Sequence, residues 1–162
     1  MNQTTEYNIY AAFEETAQRR GDHPAVIYLG TRYSYLEVKN LAERFAAALA
    51  GLGVGPGQRV MLYIPNTLQW VVTWLGVQRA GAVAVPITPI YTPHDLRYIA
   101  NDSEAEAIIC ADTNFGYVKR VLPETKIKTV IVTRMADLLP WWKRSFGYLF
   151  DVVPKGKDRK SV

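Results

Sequence analysis

The chain has 162 residues, of which 49% are hydrophobic and 21% charged, and this globular composition excludes a disordered or collagen-like protein. Its net charge of +4 lies entirely in residues 141–162, which hold six Lys or Arg and two Asp or Glu, so it describes a tail and does not indicate a basic protein face. The single cysteine, Cys110, excludes an internal disulfide.

The sequence carries no recognisable targeting signal. Its first residues have neither the basic nor the apolar region of a signal peptide. No apolar run reaches the roughly 18 residues that span a bilayer, and a lone cysteine fits a reducing compartment. We therefore expect a cytoplasmic protein that can lie peripheral to the inner face of a membrane.

The chain begins with a predicted helix and a predicted hairpin. The helix covers residues 8–20 and ends at Gly21. The hairpin joins residues 25–29 to 32–34 around Gly30-Thr31. The residues expected on the buried face of the helix are Ile9, Phe13 and Ala17.

A second helix follows directly and has a clear start signal. Ser34 and Glu37 form a capping box, in which each side chain accepts a hydrogen bond from the backbone N–H of the other residue. Gly53 ends this helix. Its apolar residues recur at spacings of three and four: Val38, Leu41, Phe45, Leu49 and Leu52.

Strands and helices then alternate. The predicted strands are residues 60–64, 82–85, 107–110 and 129–133. One intervening helix is capped by Asn66 and ends at Gly81, and it carries Trp70, Trp74 and Val77. The next begins with Thr92 as cap and Pro93 at its first position, with Asp95 at the third, and the last covers residues 113–122.

This alternation predicts the fold class. Short loops between helices and near-continuous apolar strands are typical of a doubly wound, mostly parallel α/β sheet with flanking helices on both faces. We expect one α/β unit over residues 1–137. Residues 138–162 are expected to form an amphipathic aromatic-basic segment followed by a flexible basic tail.

Motifs that would carry chemistry are weak. The glycines at 51, 53, 55 and 57 stand between a helix and a strand, the reverse of a phosphate loop, and Pro56 removes a backbone donor, so they predict a helix end and a turn. His23 and His94 with one cysteine do not make a zinc site. Cys110 ends an apolar strand and is expected to be buried and inert. Acidic clusters at 14–15 and 102–106 are expected on the surface.

The aromatic-basic segment leaves three interpretations open. It can pack on the domain with its basic residues in water. It can contact a membrane surface, because aromatic rings favour the interface and Lys or Arg favour anionic lipid. It can also bind nucleic acid weakly, although no nucleic-acid module is present, and we expect no nucleic-acid partner. The membrane interpretation uses Trp141, Trp142, Lys143, Arg144 and Phe146.

The order of several short motifs resembles the amino-terminal part of the AMP-forming acyl-CoA synthetases, the adenylate-forming ligases. Thr88 stands where the family's segment usually has asparagine. The stretch from Asp137 to Pro140, followed by basic and aromatic residues, is similar to the long-chain fatty acyl-CoA ligases in particular. The motifs are GVGPGQRV at 53–60, IPN at 64–66, QRAGAV at 78–83 and PIYT at 89–92.

The resemblance implies a reaction and its cofactors. In the complete parent enzyme a fatty acid attacks ATP, an acyl-adenylate forms with release of pyrophosphate and Mg²⁺, and CoA takes the acyl group. The family's Ser/Thr/Gly-rich phosphate loop and its carboxyl-terminal domain come later than residue 162. The resemblance therefore assigns this chain no catalytic residue, no metal ligand and no defined cofactor contact. It also implies that none of ATP, Mg²⁺ and CoA binds the chain tightly.

Two main hypotheses follow, because the missing order of strand, glycine loop and helix argues against a third, an unrelated small nucleotide-binding α/β module. The first is an incomplete amino-terminal portion of the large domain of a long-chain fatty acid–CoA ligase, inactive alone. The second is a non-enzymatic protein that binds a membrane surface or a partner protein through residues 138–160.

Overall fold

The computed structural model describes residues 8–143 and 145, and helices and strands alternate through that part as the sequence predicts. The helices are α1 (Ile9–Arg20), α2 (Tyr35–Gly51), α3 (Leu68–Arg79), α4 (Pro93–Asp102) and α5 (Phe115–Val121). The strands are β1 (Pro24–Tyr28), β2 (Thr31–Ser34), β3 (Arg59–Tyr63), β4 (Val83–Pro86), β5 (Ala107–Ala111) and β6 (Thr129–Thr133). The predicted tail lies outside the described residues.

The predicted parallel sheet is confirmed. Its four strands have the order β4-β3-β5-β6, and every neighbouring pair is parallel. The register places Val60 of β3 opposite Ala84 on one side and opposite Ala107 on the other. The strands β1 and β2 form a separate antiparallel hairpin.

Helices cover both faces of the sheet, as the doubly wound pattern predicts. Alternate residues of β3 and β5 point to opposite faces, as in any strand. On one face Leu62 and Ile109 pack with Leu49 of α2 and Val77 of α3. The opposite face joins a different set of buried residues from β3, β5, α4 and α5: Met61, Ile108, Leu96 and Val118.

A third group of buried side chains attaches α1 and the hairpin to the outside of α2 and α3. Tyr10 of α1 and Tyr33 of β2 are buried with Val38, Leu68 and Val72. The hairpin therefore packs on the helical layer and adds no strand to the parallel sheet. This places its tip away from the sheet core.

Both predicted capping boxes are present. The Ser34 hydroxyl accepts the Glu37 N–H at 3.2 Å, and the Glu37 carboxylate accepts the Ser34 N–H at 2.7 Å. Thr92 and Asp95 make the same exchange at the start of α4, where Pro93 occupies the first turn. These local signals set the helix boundaries where the sequence predicts them.

Other local predictions need correction. Thr67 and not Asn66 caps α3, because its hydroxyl accepts the Trp70 N–H at 3.3 Å. The hairpin turn is Leu29-Gly30, with φ of 46° and 69°, and Thr31 already belongs to β2. Two apolar residues at helix ends, Ile9 and Leu52, are exposed. The helix predicted at 113–122 begins as a 3₁₀ turn, Asp112–Asn114, before α5.

Gly76 sets the close approach of α3 to α2, and replacing it tests this packing. A Cβ at this position lies 2.7 Å from a Phe45 ring carbon and 3.0 Å from the Ala42 carbonyl oxygen. Gly76→Ala should lower the free energy of unfolding by about 1–2 kcal/mol in denaturant titrations, because overpacking outweighs the gain in helix propensity.

The matched control is Gly51→Ala in the last turn of α2, where a Cβ has no atom within 4 Å. That variant should keep or raise the free energy of unfolding, since alanine is the better helix former. Unchanged or increased stability of Gly76→Ala would show that the two helices do not approach as closely as described.

Candidate functional site

The candidate site lies at the edge of the sheet where the four parallel strands end. From β3 the chain turns to β4 on one side, and from β5 it turns to β6 on the other. The carboxyl ends of β3 and β5 therefore form the point at which the direction of winding reverses. Open α/β sheets bind ligands in the crevice outside such a switch point.

The loop after β4 crosses this switch point and is held there by two side chains. The hydroxyl of Tyr63, the last residue of β3, donates to the Tyr91 carbonyl at 2.6 Å. The amide of Asn114, just after β5, donates to the Pro89 carbonyl at 2.8 Å. Tyr63 is fully buried, and burial is the main cause that raises the pKa of its hydroxyl, which therefore stays protonated as a donor. The crevice between β3 and β5 is thus covered by residues 88–92.

An open groove remains beside the covered crevice, between the ends of β3 and β4. It has a volume of about 490 Å³, and its walls are residues 64–66, Trp70 and residues 86–89. Trp70 stacks on Trp74 with ring centroids 5.9 Å apart. Six of the eight lining residues are apolar, Asn66 and Thr88 are the polar side chains, and none of the eight is titratable. The groove can bind and orient an apolar group, and it offers no acid, base or nucleophile.

A second set of hydrogen bonds fastens the chain where it leaves β6. The buried Gln69 amide nitrogen donates to the carbonyls of Arg134 at 2.7 Å and Met135 at 3.1 Å. From the hairpin, the Tyr28 hydroxyl donates to Met135 at 3.2 Å and the Tyr33 hydroxyl to the Leu138 carbonyl at 2.7 Å. The segment after β6 therefore runs from the sheet edge to the hairpin.

The glycine segment is the helix end and turn that the sequence predicts. It joins α2 to β3, and Gly53 and Gly57 have φ of 75° and 77°. The nearby acidic residues form ion pairs at the opposite edge from the groove. Glu104 lies 2.6 Å from Lys126, and Glu106 lies 3.0 Å from Lys128. The pKa of each carboxyl is held below its ordinary value, mainly by the hydrogen bond from its lysine and then by the lysine's charge.

The remaining candidates are not brought together. The His23 and His94 side chains are exposed in separate parts of the chain, and His94 lies 3.9 Å from its neighbour Asp95. Cys110 is buried in β5, and burial raises the pKa of its thiol to about 12. Residues 8–143 and 145 hold no cluster of three or more His, Cys, Asp or Glu side chains with metal-binding geometry. Those same residues include no helix long and apolar enough to cross a bilayer.

The described part of the aromatic-basic segment lies against the hairpin. Trp141 and Trp142 are exposed. The Lys143 ammonium donates to the Leu29 carbonyl at 3.1 Å and to the Thr31 hydroxyl at 2.9 Å. Arg144 and Phe146, which the membrane interpretation also uses, lie outside the described residues.

Sequence patterns missed the side chains that organise this edge. Each of these side chains donates to a backbone carbonyl far away in sequence. The separation is 28 residues for Tyr63, 65 and 66 residues for the two bonds of Gln69, and 25 residues for Asn114. One signal was available: a Tyr at the end of an apolar strand and a Gln beside Trp70 each bury a polar group that requires a partner.

Comparison with known sequences gives one family and many relatives. Residues 13–148 match the family described as AMP-binding enzyme. The chain is 38% identical over 150 residues to a long-chain-fatty-acid–CoA ligase of Salmonella typhimurium, a match that covers 88% of this chain and 27% of the ligase. The chain thus spans about a quarter of the length of the curated relatives it matches.

Solved structures agree with the fold. A long-chain-fatty-acid-CoA ligase from Archaeoglobus fulgidus superposes with a TM-score of 0.74 at 27% identity, covering 78% of this chain and 27% of that one. A benzoate CoA ligase from Burkholderia xenovorans superposes with a TM-score of 0.74 at 28% identity, and the match covers 96% of this chain and 30% of that one.

Removing the Tyr63 hydroxyl should loosen the loop over the switch point. Tyr63→Phe keeps the ring but leaves the Tyr91 carbonyl without this donor, so we expect a loss of about 1 kcal/mol of stability. Hydrogen exchange should rise in residues 88–92 and stay unchanged in β5. Tyr98→Phe, at an exposed ring of α4, is the control. Equal protection of the loop in Tyr63→Phe would contradict its role as a clamp.

Cys110 should resist thiol reagents in the folded chain. With a pKa of about 12, the thiolate fraction at pH 8 is about one in ten thousand, and the sulfur is buried as well. A disulfide reagent should label the chain fully in denaturant and very slowly without it. Rapid labelling under native conditions would show that β5 is accessible.

Proposed function

Because this chain belongs to the AMP-binding enzyme family, we propose that it is the amino-terminal part of the large domain of a long-chain fatty acid–CoA ligase. The reaction is fatty acid plus ATP plus CoA to acyl-CoA, AMP and pyrophosphate through an acyl-adenylate. The observation that supports this is the identity of 34–40% to several such ligases over 150 or 161 residues. As part of the same proposal, the ligase reaction takes place in the cytoplasm.

The groove at the carboxyl edge supports a binding contribution of this chain. Its lining of six apolar residues with Asn66 and Thr88 fits the wall of a ligand cleft that other residues complete. The glycine turn precedes a strand and not a helix, which is the wrong order for a loop that holds the ATP phosphates. We therefore assign the ATP, Mg²⁺ and catalytic groups to the rest of the ligase. The 162 residues alone should be inactive.

The test is a chimera in which residues 8–143 of this chain replace the matched quarter of the Salmonella ligase. It should catalyse palmitate-dependent exchange between ATP and pyrophosphate, because the two sequences match over this part. The isolated chain should give no exchange. The negative control is the Salmonella ligase with the matched quarter deleted.

Three results would overturn the proposal. The first is strong exchange by the pure chain, and the second is a folded chimera without exchange. The third is a chimera that accepts benzoate but no fatty acid, which would place the chain with another branch of the family.

The exposed Trp141 and Trp142 favour a second candidate function, contact with a membrane surface or a partner protein through residues 138–160. This function assumes the two predicted parts of the chain, the α/β unit at 1–137 and the aromatic-basic segment at 138–162, and assigns the contact to the second. Indole rings bury well at the bilayer interface, and the basic residues that follow attract anionic lipid.

Deletion of residues 138–162 tests this second function. The full chain should sediment with vesicles that contain anionic phosphatidylglycerol, and binding should weaken as salt rises. The truncated chain should lose this binding while its far-ultraviolet circular dichroism shows a folded protein. Binding that survives the deletion would reject the segment as the membrane contact.

A further inference from the structure

The hairpin tip and the tryptophan pair lie together on one surface. The Lys143 ammonium contacts both Leu29 and Thr31 at the tip, within 3.1 Å, and lies 5.3 Å from the centre of the Trp142 ring. Trp141 and Trp142 are 75% and 47% exposed, and Leu29 is 53% exposed. Residues 112 or more positions apart in sequence thus bring exposed apolar side chains to one ammonium group, and we call this set the rim.

The outward face of the hairpin extends this rim. Ile27 of β1 is 66% exposed, and its cross-strand partner in β2 is the exposed Arg32. The neighbouring Val26 and Tyr28 turn inward and pack on the cluster of Tyr33 and Val38. The alternation of a strand therefore leaves an apolar side chain and a cation side by side on the surface.

The charged side chains of the surface itself are cations. The described residues 23–36 and 138–143 contain Arg32 and Lys143 and no Asp or Glu, and the acids Asp22, Glu37 and Asp137 border these ranges in sequence. Large exposed apolar side chains beside these two cations match the outer layer of an anionic bilayer. There the aromatic and aliphatic groups enter the headgroup region and the cations meet lipid phosphates.

We propose that the hairpin tip forms one membrane-docking surface with the tryptophan pair, and that it binds bilayers containing anionic phospholipid. The surface consists of Ile27, Leu29, Arg32, Trp141, Trp142 and Lys143. The proposal rests on the second candidate function and deepens it, because it assigns half of the contact to a hairpin more than 100 residues from the aromatic segment. Lys143 ties the two halves together through Leu29 and Thr31.

The decisive variant is Leu29→Asp in the full chain. Leu29 has φ of 46°, a conformation that Asp adopts more readily than Leu, so the turn is preserved while a negative charge enters the surface. The probe is a vesicle of phosphatidylcholine with 30 mole per cent phosphatidylglycerol, a standard anionic composition for surfaces of this kind. Binding should weaken at least about tenfold, and the blue shift of tryptophan fluorescence on binding should disappear.

Two further variants keep the test decisive. Trp141→Ala, at an exposed side chain with little packing to lose, should weaken binding to the same vesicles. Ile90→Asp makes the same apolar-to-acid change at a residue that is 83% exposed after β4, the strand at the other edge of the sheet from β6. This control should bind as the parent chain does.

The outcomes separate this inference from the functions it builds on. Normal binding by Leu29→Asp, with binding lost on deletion of residues 138–162, overturns the hairpin contact and leaves the second candidate function standing. Equal binding to pure phosphatidylcholine overturns the charge argument. A dimer in solution that Leu29→Asp dissociates assigns the surface to a second copy and overturns the membrane proposal. Palmitate-dependent exchange by the chimera with Leu29→Asp should match that of the unmodified chimera when all substrates are in solution.

Discussion

The fold depends on burying both faces of β3 and β5. Every residue of β5 is buried, and in β3 only the first residue, Arg59, is exposed. Two parallel strands without a solvent-facing side require helices above and below, and parallel strands can be joined only by crossovers. These requirements place α2 and α3 on one face and α4 and α5 on the other. The same requirements bring the carboxyl ends of the strands to one edge, which is where the groove forms.

Burial at that edge creates a second requirement, the satisfaction of polar groups that enter the interior. The Tyr63 hydroxyl and the Gln69 amide nitrogen inside the protein must each find a partner, and both find the carbonyls of a neighbouring loop. The partners are loops that leave β4 and β6, so each hydrogen bond also fixes the path of the chain. The groove wall and the route of residues 134–139 towards the hairpin are therefore consequences of how the core is completed.

The sequence predicts those features whose cause lies within a few residues. The capping boxes at Ser34 and Thr92 and the apolar strands fall in this class, and all are confirmed. The cap predicted at Asn66 was wrong by one position, because Asn and Thr both cap helices and only the backbone geometry separates them. The contacts of Tyr63, Asn114 and Lys143 escape such reasoning. Each joins distant parts of the chain and ends on a carbonyl or hydroxyl that no local pattern marks.

The distribution of charge separates what this chain can contribute from what it cannot. At the amino edge of the sheet, Glu104 forms an ion pair with Lys126, and Glu106 forms one with Lys128. At the carboxyl edge the groove lining is uncharged, so a ligand there meets apolar side chains and the neutral polar side chains of Asn66 and Thr88, and no formal charge. The cations next to exposed apolar side chains lie at the hairpin instead. The two proposals, orientation of a ligand and attachment to a surface, therefore rest on separate parts of the molecule, and changing one leaves the physical basis of the other intact.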